Sequence, residues 1–454
     1  MSHPPSSSDS GFLGELSALA RQNNTIERSL YAKYDVKRGL RHADGTGVLV
    51  GLTQIGNVHG YIIDEKERVP VEGTLSYRGI DVRELVNGYR NEARSGFEEI
   101  CYLLLFGELP TKEGLERFTI MLNEHRDLPK GFTENMILKA PSRDVMNKLG
   151  RSVLACYSYD ENPDDTGIAN VLRQSIELIA RFPAMIAYGY QAKRHYHDGQ
   201  SLFIHNPEPG LSTAENFLRL IRSEPVYTPL EAMILDLSLV LHAEHGGGNN
   251  STFATRVVTS SGTDIYAALA SAIGSLKGPK HGGANVKVTQ MMQALQEAVV
   301  DWHDEEKIAW FLSRLLAKEV FDRSGLIYGM GHAVYTLSDP RAVLLRDLAG
   351  ELASEKGRQD EFELFRTVER IAPRVYQQGG HEARIIAANV DFYSGLVYQM
   401  LNIPRELFTP VFALARISGW CAHIVEELLS EGRIIRPAYK NVRKPGRYVP
   451  LEQR

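Results

Sequence analysis

Four of the chain's fourteen histidines stand in glycine-rich junctions between helical stretches. The first junction reads His242-Ala243-Glu244-His245-Gly246-Gly247-Gly248-Asn249-Asn250-Ser251. The second is Gly278-Pro279-Lys280-His281-Gly282-Gly283-Ala284-Asn285. The third is Gly329-Met330-Gly331-His332-Ala333-Val334-Tyr335, with Ser338-Asp339-Pro340-Arg341 behind it. Glycine permits tight turns and close approach of a ligand to the backbone. A histidine held in such a turn serves as acid, base or neutral hydrogen-bond donor near pH 7. Helix N-termini beyond Gly283 and Asp339 offer free N–H groups to anions.

Each histidine also has a plainer reading. His242 and His245 fall near a helix C-terminus, where a cation is favourable. His281 and His332 are compatible with structural turn residues. The His-x-x-His spacing lacks the pattern and further ligands of a zinc site, so no metal is expected. Gly-Met-Gly-His is no dinucleotide fingerprint, because no strand precedes it and the third glycine is missing. Two other residues resist a plain reading. Arg416 lies in Phe412-Ala413-Leu414-Ala415-Arg416-Ile417-Ser418-Gly419-Trp420, an apolar helix where a guanidinium needs a carboxylate or phosphate. That partner is either a ligand or an internal counter-ion. Asp391, in Asn389-Val390-Asp391-Phe392-Tyr393, is a carboxylate among apolar and aromatic residues. Burial would raise its pKa and suit it to general-base work; its plainer role is an ordinary helix cap.

The elements that must position these residues are mostly helical. Thr228-Pro229-Leu230-Glu231 is a capping box, and Met233, Ile234, Leu237, Val240 and Leu241 follow on one face. Thr263 is expected to cap an Ala-rich helix stopping at Gly278-Pro279. Val288, Met291, Met292 and Leu295 mark the next, and Leu345, Leu348 and Leu352 one opened by Asp339-Pro340. Leu364, Phe365, Val368 and Ile371 mark another, and Thr409-Pro410 opens a last one ending near Gly432. Val48–Leu52 and Tyr61–Ile63 are expected to form one small hairpin. The polar stretch Tyr188–Leu211 reads as a loop or ragged helix end.

The 454 residues allow two to four structural units. With 43% apolar and 24% charged residues the chain is an ordinary globular one. A net charge of −5 does not favour nucleic acid as a partner. No run approaches the ~20 consecutive apolar residues of a membrane span. Cys101, Cys156 and Cys421 are too few and too scattered for a disulfide framework, so a reducing cytoplasm is expected. The Ser/Pro-rich residues 1–10 read as a disordered tail.

In order, the strings LHAEHGGGNNSTFATRV, GPKHGGAN, GMGHAVY with SDPRA, NVDFYSG, FALARISGW and RIIRP resemble the citrate synthase family. The resemblance is dense from Leu241 to Pro437. It is looser in LSYRGIDVRELV and FEEICYLLLFGELPT. It implies an all-α homodimer. A large domain of residues 11–282 and 403–454 would carry a mobile small domain of residues 283–402. The implied reaction is acetyl-CoA plus oxaloacetate plus water giving citrate and CoA, with no metal or redox cofactor. By motif, Asp391 resembles the base that takes a proton from the thioester methyl. His281 resembles the donor to the enol(ate) oxygen, and His332 the donor that polarises the ketone. His245, Arg341 and Arg416 resemble the holders of the oxaloacetate carboxylates. Arg436 resembles an arginine that reaches into the neighbouring subunit's site. His242, Asn249 and Phe412 resemble supporting residues. Two positions depart from the usual pattern. Thr336 stands where many relatives carry a basic residue for CoA phosphates, and Lys280 adjoins His281, where it would perturb that histidine or meet the nucleotide. The same residues would serve 2-methylcitrate synthesis from propionyl-CoA. The motifs are also compatible with a non-catalytic binder of CoA or a tricarboxylate. His242 and His245 alone would fit a metallohydrolase.

Overall fold

The computed structural model describes residues 7–64, 67–380, 385–430 and 432–454. It is 59% helix and 5% strand, which makes the protein an all-α one. The chain forms two compact units, residues 1–52 and 53–454. In the first, helix Ser7–Asn24 is followed by the short helix Arg28–Lys33. Phe12, Leu13, Leu16 and Leu19 are exposed along the first of these. The tail expected over residues 1–10 therefore splits: 1–6 lie outside the described residues, and 7–10 open a helix.

The second unit begins with a three-stranded antiparallel sheet, β1 (Gly56–Asp64), β2 (Glu67–Tyr77) and β3 (Ile80–Asp81). A hairpin exists, but not the expected one. Tyr61 and Ile62 pair with Pro70 and Val69, while Val48–Leu52 is not a strand and leaves Leu49 and Leu52 more than four-fifths exposed. β2 escapes sequence reading because it contains Pro70 and Gly73, residues that argue against a central strand. Gly73 has a tertiary reason. A Cβ there would run into the main chain of Ser338 and the ring of Tyr335. At Gly60, beside the register shift in β1, a Cβ would press on Val334 O. The sheet thus seats the Gly329–Asp339 loop that carries His332.

Helix Ile168–Asp198 runs 31 residues, so Tyr188–Asp198 is helical and only 199–211 is irregular. Tyr188, Tyr190, Gln191 and Ala192 are buried; tertiary packing, invisible in a polar sequence, continues the helix. Gly199, at φ +69°, stops it in the left-handed cap conformation. The Ala-rich helix Ile265–Lys277 is capped by Asp264 rather than Thr263, its carboxylate accepting the Ala267 N–H.

Helix Phe408–Leu429 is the centre of the unit. Every residue from Pro410 to Val425 is buried. Its length and mean hydropathy would suffice to cross a bilayer, although Arg416 keeps it from being an uninterrupted apolar run. Within the protein 94% of its apolar window is covered by other elements, as expected for a helix that is apolar all round. Helices Pro229–His242, Asn250–Thr259, Ile265–Lys277 and Ile168–Asp198 pack on it. All three cysteines are free and buried.

Candidate active site

Asp391 sits in the first turn of helix Val390–Met400, one residue beyond its start. Asn389 caps that helix by accepting the Asp391 N–H at 3.0 Å. Its amide nitrogen donates to Gly331 O at 2.8 Å, and its main-chain N–H donates to Gly329 O. Gly331 N–H donates to Ala387 O in return. The loop carrying His332 and the helix start carrying Asp391 are thus laced together. Gly329 (φ +78°) must be glycine here, since a Cβ would collide with Val288 and Phe392. Burial pushes the Asp391 carboxyl up to about 6, against the pull of Arg341 and helped by the charge of Asp339.

The histidines are held neutral and oriented. His332 Nδ1 accepts the N–H groups of Val334 and Tyr335, at 3.1 and 3.2 Å. An imidazole nitrogen that accepts carries no proton, so Nε2 is the N–H donor of the neutral ring. The ring stacks on Tyr335 at 4.7 Å and stands edge-on to His245 at 5.2 Å. His245 is kept far below its usual pKa by burial, with Arg341 and His332 adding to it. Its Nε2 is buried without a protein partner. Against His281 Nε2 lie the Ser251 N–H at 3.4 Å and the Ser251 hydroxyl at 3.0 Å. The main-chain N–H can only donate, which leaves the proton on Nδ1. That hydroxyl also lies 2.9 Å from Asn249 Oδ1 and receives the Trp420 indole N–H. Burial, reinforced by Arg416, lowers His281 to about 4. Lys280 is exposed and is not among the groups that shift His281. His242 is fully buried and lowered to about 3, first by burial and then by Arg341. Its Nδ1–H donates to Ser238 O at 2.9 Å, one turn back in its own helix.

Two arginines complete the cluster. Arg416 is wholly buried, and its Nε donates to His242 O at 2.7 Å. Its Nη1 and Nη2 have no protein partner. The guanidinium lies over the Phe412 ring at 4.8 Å, and Phe412 also meets His242 at 4.7 Å and His281 at 6.3 Å. Arg341 is gripped by Asp339 through Nε (3.0 Å) and Nη2 (2.8 Å). Asp339 also accepts the Val390 N–H at 3.1 Å, tying Arg341 to the helix of Asp391.

Nine of the ten residues picked from sequence therefore converge: His242, His245, Asn249, His281, His332, Arg341, Asp391, Phe412 and Arg416. Arg436 is exposed, on an extended segment whose neighbouring Ile435 N–H donates to Ser260. Sequence reading missed Asp339 as a ligand of Arg341, since Asp-Pro reads as a helix start. It missed Glu244, His423, Ser251 and Tyr335 as well. Glu244 and Ser251 lie within the first histidine junction, and Tyr335 in the third. His423 falls at helical spacing behind Trp420 and carried no signal. Among the described residues no group of three or more His, Cys, Asp or Glu has metal-binding geometry.

A carboxylate poised near pH 6, neutral imidazole N–H donors and a buried unpaired guanidinium suit one chemistry. That is proton removal next to a carbonyl, with the developing oxyanion met by donors and an anionic reactant held beside it.

Comparison with known proteins identifies the family. The family model described as citrate synthase, C-terminal domain, matches residues 43–438. A citrate synthase of Acidithiobacillus ferridurans is 36% identical over 418 residues, covering 90% of this chain and 97% of the relative. A 2-methylcitrate synthase of Shewanella oneidensis is 33% identical over 393 residues, 85% of this chain and 94% of that one. A solved citrate synthase of Thermoplasma acidophilum, in ternary complex with carboxymethyl coenzyme A and oxaloacetate, is 26% identical with a TM-score of 0.74. That match covers 92% of this chain and 99% of the other. The chain belongs to the citrate synthase family and is a condensing acyltransferase.

Proposed function

We propose that the protein joins the methyl carbon of acetyl-CoA to the ketone carbon of oxaloacetate and hydrolyses the product thioester to citrate and CoA. The observation that carries this reading is the pairing of a half-buried carboxyl, Asp391 at about 6, with neutral, oriented imidazoles. A thioester methyl is a weak carbon acid, and one carboxylate removes its proton only if the carbonyl oxygen is stabilised at the same time. Asp391 takes the proton and His281 Nδ1–H meets the enol(ate) oxygen. His332 Nε2–H polarises the ketone and stabilises the alkoxide that forms. Arg416, Arg341 and His245 hold the dianionic keto acid. Water then attacks the thioester carbonyl, the C–S bond breaks and CoA leaves as the thiol. The acyl thioester supplies the activation, so the reaction needs no metal or redox cofactor. Closure of residues 283–402 over the cleft would exclude water during condensation.

The test is CoA release followed by thiol titration, with oxaloacetate and either acetyl-CoA or propionyl-CoA. Strong preference for acetyl-CoA is expected. Comparable or better release with propionyl-CoA replaces the reading with 2-methylcitrate synthesis, the activity named for the Shewanella relative. One methylene is worth only ~1–3 kcal/mol to a pocket, so the two activities lie close together. Release with neither substrate overturns both.

The reading includes a homodimer in which Arg436 completes the partner's site. Arg436→Ala and Asp391→Asn homodimers should each be nearly inactive. Co-expressed, they should form heterodimers with one intact site, recovering about half the activity of a wild-type dimer. No recovery in purified heterodimers removes the shared site.

A further inference from the structure

We propose that Arg256, His423 and Glu244 form a buried positioning relay that sets the keto-acid half of the site; the proposal rests on the function proposed above. A guanidinium only donates, so Arg256 Nε, 3.1 Å from His423 Nδ1, makes that nitrogen an acceptor. The His423 proton therefore sits on Nε2 and is donated to Glu244 Oε1 at 3.0 Å. His423 and Glu244 are both fully buried. Arg256 is fixed in turn by Glu427 at 2.8 Å and by Glu426. The same Glu244 oxygen accepts the Gly246 N–H at 2.6 Å, closing the turn that presents His245.

Two glycines make the space that Glu244 fills. A Cβ at Gly56 would come within 2.6 Å of its Cγ, and one at Gly419 within 2.7 Å of Oε2. Neither His423 nor Arg256 is among the residues that face the reactants in the proposed mechanism. Yet the carboxylate they orient lies next to His245 in sequence and is the strongest opposite charge acting on Arg416. Without the His423 donor, a dry carboxylate reorients or takes up a proton, and the turn carrying His245 loosens. The relay therefore governs how oxaloacetate is held, while Asp391 and His281, on other elements, keep their geometry.

The experiment compares His423→Leu with His423→Gln, whose amide can donate to Glu244 while accepting from Arg256. In His423→Leu the KM for oxaloacetate should rise tenfold or more, on the order of what a small misplacement costs. The KM for acetyl-CoA and kcat should stay within about threefold, and His423→Gln should recover most of the loss. Oxaloacetate binding measured by calorimetry should weaken in parallel. A folded His423→Leu protein with an unchanged oxaloacetate KM, or with both KM values raised equally, overturns the relay. If His423→Leu does not fold, the same asymmetry is read in Arg256→Lys, which lacks the planar fork whose Nε, Nη1 and Nη2 reach His423, Glu427 and Glu426; its absence there overturns the proposal. Wild-type protein that binds oxaloacetate without turnover overturns the function alone, and the relay is then read from the binding constants. Wild-type protein that does not bind oxaloacetate overturns both.

Discussion

Asp391→Asn lowers the rate of CoA release by about 10²–10⁴, the usual worth of a positioned general base, and leaves oxaloacetate binding within a few-fold. The amide keeps the shape of the carboxyl and cannot take a proton. Arg341 and Arg416 keep their contacts to Asp339 and His242, so the keto-acid side stays intact. The pH dependence should change as well. In the wild type the base must be ionised, so release falls as pH drops through about 6. His281 and His242, lowered to about 4 and about 3, are already neutral there and add no limb near pH 6. Stability moves the other way. The folded-state pKa of Asp391 lies above its ordinary value of 3.8 because burial disfavours the charge. The wild type therefore loses stability as pH rises from about 4 to 6 and carries the full loss above it. The Asn variant lacks that loss and should be more stable at pH 7.5, by roughly 1–3 kcal/mol, with no advantage below pH 4. Thermal unfolding at both pH values checks the second half, thiol titration the first. Wild-type turnover in the variant would remove Asp391 from the mechanism.

The residues of the candidate site are more legible in the sequence than the scaffold that presents them. His245, His281 and His332 stand out because glycines flank them, and glycine is demanded by the close approaches at Gly282 and Gly329. Arg416 stands out because a charge in an apolar helix is costly wherever the helix goes. The scaffold is legible where a Thr-Pro start signal opens a long apolar stretch, as in Pro229–His242 and Phe408–Leu429. It was misread where contacts distant in sequence override local preference. β2 contains Gly73 because the Ser338 main chain and the Tyr335 ring must fit against it. Helix Ile168–Asp198 continues past Tyr188 because Tyr188, Tyr190, Gln191 and Ala192 pack into the unit, and its exposed final turn extends from them. Asp339 and Glu244 do not announce themselves in the sequence as partners of the site. Glu244 acts on Arg416, an arginine that only the fold brings within reach, whereas Asp339 grips Arg341 just two residues on; a carboxylate beside proline or histidine has many ordinary explanations.

Replacing Arg416 by methionine should separate the cost of this site from its use. The wild-type guanidinium has given up water on all sides, makes one hydrogen bond, and leaves Nη1 and Nη2 unpaired. Burial lowers it to about 10, with Glu244 and Tyr77 pulling it back. It stays charged at neutral pH, so the empty protein bears a desolvation penalty of several kcal/mol. Glu244 does not depend on Arg416 alone, because His423 and the Gly246 N–H also hold it. A side chain of similar length without charge should therefore leave the ligand-free protein as stable as the wild type or more so. Oxaloacetate affinity should fall at least a hundredfold, the order of two charge-assisted hydrogen bonds to a carboxylate. Oxaloacetate should raise the unfolding temperature of the wild type and not that of the variant. The competing reading, an internal ion pair with Glu244, predicts the reverse. Breaking a buried pair strands its partner and costs ~3–5 kcal/mol. A marked loss of stability in the ligand-free variant would make Arg416 a structural counter-ion. Unchanged or improved stability with lost binding would mean that the unpaired guanidinium is held for the substrate.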